Sequence, residues 1–138
     1  MARPAMKTSF DVMNKLFPIL NVTTVTSVIN GRVCRYRKPD NSRLQDVVIL
    51  PLSNPNAKAE LVQSGTVIVN AFCENHDNGL PNETKLKAIA DAIVSVIEAH
   101  NATSEYLDLE IINETVFQDL DDPGMSYSSF RVTYTLEK

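Results

Sequence analysis

The chain contains no tryptophan and only four glycines, two cysteines and two histidines. The glycines are not grouped, so no loop offers the successive backbone amides that cradle a phosphate. Without tryptophan the chain has no evident platform for stacking single-stranded bases. Two cysteines in 138 residues do not make a secreted disulfide framework, and in predicted strands such residues usually behave as small buried hydrophobes.

Long apolar runs are also missing from the chain. No stretch approaches the roughly 20 apolar residues that span a bilayer, and the first residues lack the apolar core of a signal peptide. The 13 basic and 17 acidic residues give a net charge of −4, which exerts no overall attraction on nucleic acid or an anionic membrane. We therefore expect a cytoplasmic protein without a membrane partner.

What is present is the composition of an ordinary globular protein, with 43% hydrophobic and 22% charged residues. The length suits a single domain over residues 1–138, with residues 1–7 as a loose leader. The order of the predicted elements is helix, hairpin, two strands, long helix and hairpin. This order predicts an α+β fold in two layers, with a mainly antiparallel sheet of about four to six strands and one long and one shorter helix packed on one face.

The first predicted element is a helix that Thr8 or Ser9 can cap. Its apolar residues recur at helical spacing as far as Leu20. Pro18 predicts that the helix ends or bends near Phe17, because proline lacks an N–H and clashes with the preceding turn.

A hairpin is predicted next. The run Val22–Ile29 is rich in β-branched residues, Asn30 and Gly31 follow it, and Arg32–Arg37 forms the second run. Asn-Gly between two such runs favours a type I′ turn, since both residues tolerate the positive φ that this turn requires.

Two strongly patterned stretches follow this hairpin. The continuous apolar run Asp46–Leu52 predicts a strand that is covered on both faces, and Pro51 places its far end at an edge or outside the ladder. Thr66–Cys73 alternates as a second strand, with its valines at positions 67 and 69 on one face.

The second half of the chain predicts a long helix and a second hairpin. Asn82 caps the helix, which carries a one-sided apolar stripe and ends near His100. Tyr106–Phe117 and Ser126–Leu136 alternate as strands, and the turn Asp121–Gly124 between them predicts antiparallel pairing.

Few residues offer chemistry. Cys73 and His76 have the spacing of half a zinc site, but zinc needs about four ligands and the positions of the other cysteine and histidine do not complete the set. His76 and Asp77 resemble a base with an orienting carboxylate, although catalytic pairs are seldom sequence neighbours. The acidic turn Asp119–Asp122 lacks the calcium-loop pattern. We therefore predict no catalytic residue, no cofactor and no metal site.

Basic residues cluster once, and the five are Arg32, Arg35, Arg37, Lys38 and Arg43. A hairpin with one basic face is suited to contact with phosphate. A solvated edge or a subunit contact is the more ordinary interpretation of such a run of charge.

In element order and in several local strings, the chain resembles the small tail-completion, or tail-terminator, proteins of long-tailed bacteriophages and prophages. The strings are SVINGRVCRY at Ser27–Tyr36, the Lys38–Pro39 step, DVVILPL at Asp46–Leu52, VIVNAF at Val67–Phe72 and NGLPN at Asn78–Asn82. They follow one another along about the whole chain, and none of them contains an active site.

The resemblance implies a structural protein and no enzyme, located in the host bacterial cytoplasm during assembly and then in the virion tail or neck. Such proteins close the end of the tail tube as a ring, commonly a hexamer, and dock the tail to the head connector. The implied partners are further copies of the chain, the tail-tube and head-connector proteins, and passing DNA through non-specific contact. The basic cluster would then line the lumen or a subunit contact, and the loop Pro55–Gln63 becomes a candidate assembly element.

Two other interpretations stay open at the level of sequence. One is a small cytoplasmic ligand-binding domain or enzyme that uses the loop Glu74–Pro81. The other is a cytoplasmic interaction module outside any virus.

Overall fold

A computed structural model describes residues 5–56 and 61–138 of the chain. Within these ranges a five-stranded sheet carries helices on one face, so the predicted α+β fold is confirmed. The elements are α1 (Ser9–Leu20), α2 (Thr23–Thr26), β1 (Val33–Arg35), β2 (Val47–Ser53), β3 (Val62–Glu74), α3 (Glu83–Thr103), β4 (Leu107–Gln118) and β5 (Met125–Glu137). The candidate assembly loop, 55–63, and the predicted leader, 1–7, lie partly outside the described residues.

The strand order is β1-β2-β3-β5-β4. β1 runs parallel to β2, and every other neighbouring pair runs antiparallel. β3 and β5 pair along all 13 residues of each strand and form the centre of the sheet. β1 and β4 are therefore its two edges.

The helices lie side by side on one face of the sheet and bury its alternating apolar residues. α1 packs on β1 and β2, α3 packs on β3, β4 and β5, and the two helices contact each other. Val67, Val69 and Ala71 of β3 are at most 2% exposed beneath them, as the sequence predicts. Val67 and Val69 each contribute about 1.5–3 kcal/mol through burial.

Helix α1 begins with a capping box in which the Thr8 hydroxyl accepts from the Asp11 N–H and the Asp11 carboxylate accepts from the Thr8 N–H. The predicted end near Phe17 is wrong, because the helix continues through Pro18 to Leu20. Pro18 is exposed, while Leu20 is 2% exposed. Burial of the last turn against the core offsets the hydrogen bond that proline cannot donate.

The hairpin predicted at Asn30 and Gly31 is wrong. Residues Thr23–Thr26 form a helical turn that buries Val25 completely, and β1 pairs in parallel with β2. Neither Asn30 nor Gly31 has positive φ. Gly31 is required for close approach instead, since a Cβ there would lie 2.3 Å from Asp46 Oδ1.

Hydrogen bonds of Asp46, and not a local turn, position β1 in the sheet. Its side chain is 1% exposed, and its carboxylate accepts from the Arg32 N–H at 3.0 Å and from the Ser42 hydroxyl. The Asn30 side chain likewise accepts from the Gln45 N–H. These hydrogen bonds join residues that are 14 and 15 positions apart and align β1 with β2. β1 therefore pairs with β2 and not with the β-branched run Val22–Ile29.

The remaining predicted elements are confirmed. Val47, Val48 and Ile49 are buried on both faces of β2, and β1 ends opposite Ile49, which leaves one side of Pro51 unpaired. The Asn82 side chain caps α3. The last two strands pair antiparallel across the predicted turn.

Candidate functional site

Two residues of the predicted basic cluster lie at the β1 edge. Arg35 is the last residue of β1, and its guanidinium donates to Asn14 Oδ1 at 3.1 Å and lies 4.4 Å from the centre of the Phe17 ring. Both partners are uncharged, so the charge of Arg35 is not neutralised there. Arg32 is exposed just before β1, and none of the ion pairs within the described residues includes it.

Two other basic residues hold the loop that follows β1 against the turn between β4 and β5. Lys38 Nζ lies 3.4 Å from Asp119 Oδ2, and the two side chains are only 20% and 10% exposed. Arg43 pairs with Glu74 at 3.3 Å and with Asp122 at 3.4 Å. These two cations therefore have a structural role on the loop.

Arg37, the last of the five, pairs with Asp40 at 3.3 Å on the surface, where the two side chains are 79% and 76% exposed. Such an exposed pair contributes little to stability. Arg32, Arg35 and Arg37 are thus the members of the basic cluster that are not tied to the β4–β5 turn. Their contact with a subunit or with DNA stays a prediction.

The loop Glu74–Pro81 borders a polar cleft of about 410 Å³. Cys73 and His76 contribute to its lining, but Cys73 is 2% exposed and burial raises the pKa of its thiol. A raised pKa keeps the thiol protonated and unreactive at neutral pH. Within the described residues no hydrogen bond joins the His76 ring to Cys73 or Asp77, so the sequence neighbours do not form a nucleophile–base or base–carboxylate pair in this structure.

The residues considered for metal binding are dispersed. Among residues 5–56 and 61–138, no three His, Cys, Asp or Glu side chains are grouped so as to hold a metal ion. His100 Nε2 donates to the Leu107 carbonyl at 3.0 Å, and Cys34 and Cys73 are both free thiols. Asp119 and Asp122 of the acidic turn pair with cations, as described above.

The β4 edge combines an unpaired strand with exposed apolar side chains. β4 has 12 residues and pairs on one side only, with β5. Ile112, Val116 and Phe117 are 50%, 45% and 48% exposed, and Leu120 in the following turn is 95% exposed. Proteins usually blunt such an edge, because its free backbone groups are a template for pairing with another chain.

A groove of about 570 Å³ lies between the second half of β4 and α3. Leu86 and Val94 of α3, Val116 of β4 and Phe130 of β5 form much of its lining, which is mainly apolar. Glu114 stands beside these residues and accepts a hydrogen bond from the Ser128 hydroxyl. The edge and the groove together thus form a continuous exposed apolar surface.

Sequence reasoning missed this surface, although one signal for it was present. The pairing of β4 with β5 shifts in register between Ile111 and Asn113. Two adjacent isoleucines, Ile111 and Ile112, break the period-two alternation at that point, which is the mark of a bulge. The bulge turns Glu114 and Val116 toward the helix side of the sheet.

No family model matches the chain, and no curated protein matches it. Among the helices of the described residues, none has both the length and the apolarity to cross a membrane.

Proposed function

We propose that this chain is a structural subunit of a long-tailed bacteriophage or prophage. It assembles with copies of itself into a ring that terminates the tail tube or joins the tail to the head. The unpaired 12-residue edge of β4, with its exposed apolar side chains, is the observation that carries the proposal. An edge of this kind pairs readily with another chain, and a head-to-tail contact that closes on itself gives a ring.

The positions of the resemblance strings also support the proposal. The strings over Asp46–Leu52 and Val67–Phe72 fall on β2 and β3, and the string over Asn78–Asn82 leads into α3. These three strings thus lie on or beside elements that build the sheet and its long helix, whereas the string over Ser27–Tyr36 spans the predicted hairpin that the chain does not form. As such a subunit, the protein occupies the host cytoplasm during assembly and the virion tail or neck afterwards.

The test is the capping of tail tubes. The purified chain is mixed with tubes formed by the tail-tube protein encoded nearest to its gene, and the tube ends are imaged by negative-stain electron microscopy. We expect a ring-shaped cap and an arrest of tube growth. A chain that stays monomeric by light scattering and does not bind the tail-tube protein would contradict the proposal, as would a gene located within a metabolic operon.

Two matched variants make this test specific for the β4 edge. Val116→Lys places a charge on the exposed edge and should abolish capping, because the incoming chain would bury that charge without a partner. Leu80→Lys makes the same change at a residue that is 60% exposed in the loop before α3, and it should cap normally. Equal capping by both variants would remove β4 from the assembly surface.

The polar cleft beside the loop Glu74–Pro81 favours a second function, that of a small ligand-binding domain or enzyme. His76→Ala separates the two functions. An enzyme or binding domain would lose turnover or affinity, whereas a ring subunit would assemble unchanged.

A further inference from the structure

The pairing registers place β1 and the second half of β4 at the same level of the sheet. Arg35 pairs with Ile49, Ile49 with Val69, Val69 with Phe130, and Phe130 with Glu114. A single row of residues therefore runs across all five strands. It starts at Arg35 on one edge and ends at Glu114 on the other.

The neighbouring rows follow the same course. The register links Cys34 at one edge with Thr115 at the other, and Val33 with Val116. β1 runs parallel to β2, β2 runs antiparallel to β3, and β3 and β4 both run antiparallel to β5. β1 is therefore antiparallel to β4, so a copy placed beside the sheet in the same orientation meets it edge to edge in the antiparallel sense.

The two edges carry charge of opposite sign. The segment Gly31–Lys38 contains four basic residues and no acidic one, whereas Leu107–Gln118 contains three acidic residues and no basic one. Arg37 and Lys38 are paired with Asp40 and Asp119, so Arg32 and Arg35 carry the unpaired positive charge of the β1 edge in the described residues. Among the described residues, the hydrogen-bond partner and the ring partner of Arg35 are both uncharged, and Glu114 accepts from a hydroxyl and forms no ion pair. Complementary charge of this kind selects the partner surface and fixes the register of a contact.

Both edges also present apolar side chains. Phe10 and Tyr36 lie beside β1, are 66% and 43% exposed, and pack on each other with ring centres 6.3 Å apart. Val116 and Phe117 of β4 are exposed to a similar extent. Burial of apolar area at a contact between the two edges supplies attraction that charge alone does not.

We propose that copies of this chain join head to tail through these unlike edges. β1 of one copy adds in the antiparallel sense to residues 114–116 in β4 of the next, and Arg35 of the first copy pairs with Glu114 of the second. This inference rests on the proposed function and deepens it by naming the two surfaces that meet. Each copy keeps one edge of each kind free, so addition continues until the assembly closes.

The test uses two charge reversals, Arg35→Glu and Glu114→Arg. Either one alone sets like charges opposite each other across every contact. We expect each variant to associate at least about tenfold more weakly than the wild type, measured by sedimentation velocity over a concentration series. Lys85→Glu and Glu98→Arg make the same charge changes at exposed positions of α3, and they should associate as the wild type does.

An equimolar mixture of the two reversal variants is the decisive sample. In the mixture each contact again joins a cation to a carboxylate, because position 35 of either variant is complementary to position 114 of the other. We expect the mixture to regain the wild-type mass with the two variants in equal amounts. Recovery also shows that both variants fold, which circular dichroism confirms independently.

Several outcomes would overturn the inference. They are a wild type that remains monomeric, Arg35→Glu that associates normally, and a mixture that fails to recover. A dimer lost in Glu114→Arg but kept in Arg35→Glu would show that β4 pairs with β4, which refutes the inference but leaves assembly through β4 intact. The capping of tail tubes then tests the proposed function separately.

Discussion

The two edges of the sheet differ in length, in charge and in how they are held. β1 is a basic edge of three residues, fixed by the buried carboxylate of Asp46 and by the contact of Arg35 with α1. β4 is an acidic and partly apolar edge of 12 residues, fixed by its pairing with β5. Because the edges are unlike but level with each other, the difference between them sets the direction of the assembly proposed above.

A second contrast concerns what each edge leaves free. The Arg32 N–H at the start of β1 is satisfied by Asp46, and the Gln45 N–H just before β2 is satisfied by Asn30. The outer side of β4 has no strand beside it in the described residues. Loss of the Asp46 hydrogen bonds at the start of β1 should therefore be felt in folding, whereas charge reversal at Arg35 or Glu114 should be felt in association.

The largest expected effect tests that contrast directly. Asp46→Ala removes the acceptor for the Arg32 N–H and the Ser42 hydroxyl. The loss of both part-buried hydrogen bonds should together lower the free energy of unfolding by about 2–3 kcal/mol. Glu110→Ala, at an exposed position of β4 with no side-chain hydrogen bond or ion pair in the described residues, should change it by no more than about 0.5 kcal/mol. Urea unfolding followed by circular dichroism measures both, and equal losses would mean that the two edges are held alike.

The next effect concerns the loop that connects the β1 edge with the β4–β5 turn. Lys38→Met leaves the mostly buried carboxylate of Asp119 without its cation and should lower the free energy of unfolding by about 1–3 kcal/mol. Arg37→Met is the matched control, because its pair with Asp40 is exposed, and it should cost less than about 0.5 kcal/mol. Thermal unfolding compares the two, and a loss in the control as large as in Lys38→Met would refute the structural role of Lys38.

A smaller effect is expected from the capping box of α1, which packs on the β1 side. Hydrogen bonds from the backbone and hydroxyl of Thr8 lower the pKa of Asp11 below its ordinary value of 3.8. A carboxyl whose pKa is lowered on folding stabilises the fold above that ordinary value, and the stabilisation is lost as the pH falls through the lowered pKa.

This dependence is measured as the difference in melting temperature between the wild type and Asp11→Asn. The difference should be constant near neutral pH and should shrink below pH 3.8. A difference that does not change with pH would show that the charge of Asp11 does not stabilise the cap.

The smallest effect is on thiol labelling and leaves stability unchanged. Cys34 lies at the β1 edge and is partly exposed, whereas Cys73 is 2% exposed in β3. Burial raises the pKa of both thiols, so maleimide labelling is slow at neutral pH and accelerates as the pH rises. Mass spectrometry should find that Cys34 is labelled before Cys73. Labelling of Cys34 should be slower in samples in which the chain is assembled. Preferential labelling of Cys73 would contradict the structure.

The elements that the sequence predicts well are those that local pattern determines. α3 follows from its apolar stripe and the cap at Asn82, and the β4–β5 pair follows from alternation around one turn. The prediction for the β1 region was wrong because it depends on the close approach of Gly31 to Asp46, 15 positions along the chain. A contact at that separation leaves no local pattern in the sequence. Asn-Gly therefore carried the signal of a turn that the chain does not make.

The candidate site was predictable only in part, for the same reason. The run of basic residues is visible in the sequence. Which of them are held in ion pairs is not, because the fold brings Asp119 to Lys38 and Asp122 to Arg43. The status of β4 as an edge depends on strand order, which composition and alternation do not contain. That Arg35 lies at the same level as Glu114 depends on all four strand-pairing registers of the sheet.

The salt dependence of the mass of the wild-type protein tests joining through unlike edges most directly. Charge pairs at a contact are screened over about 10 Å at 0.1 M salt and over about 3 Å at 1 M salt. In light scattering at low salt we expect a mass several times the 15.3 kDa of one chain, which falls toward 15.3 kDa as sodium chloride is raised. A mass of 15.3 kDa at every protein and salt concentration, or association that strengthens with salt, would contradict the account.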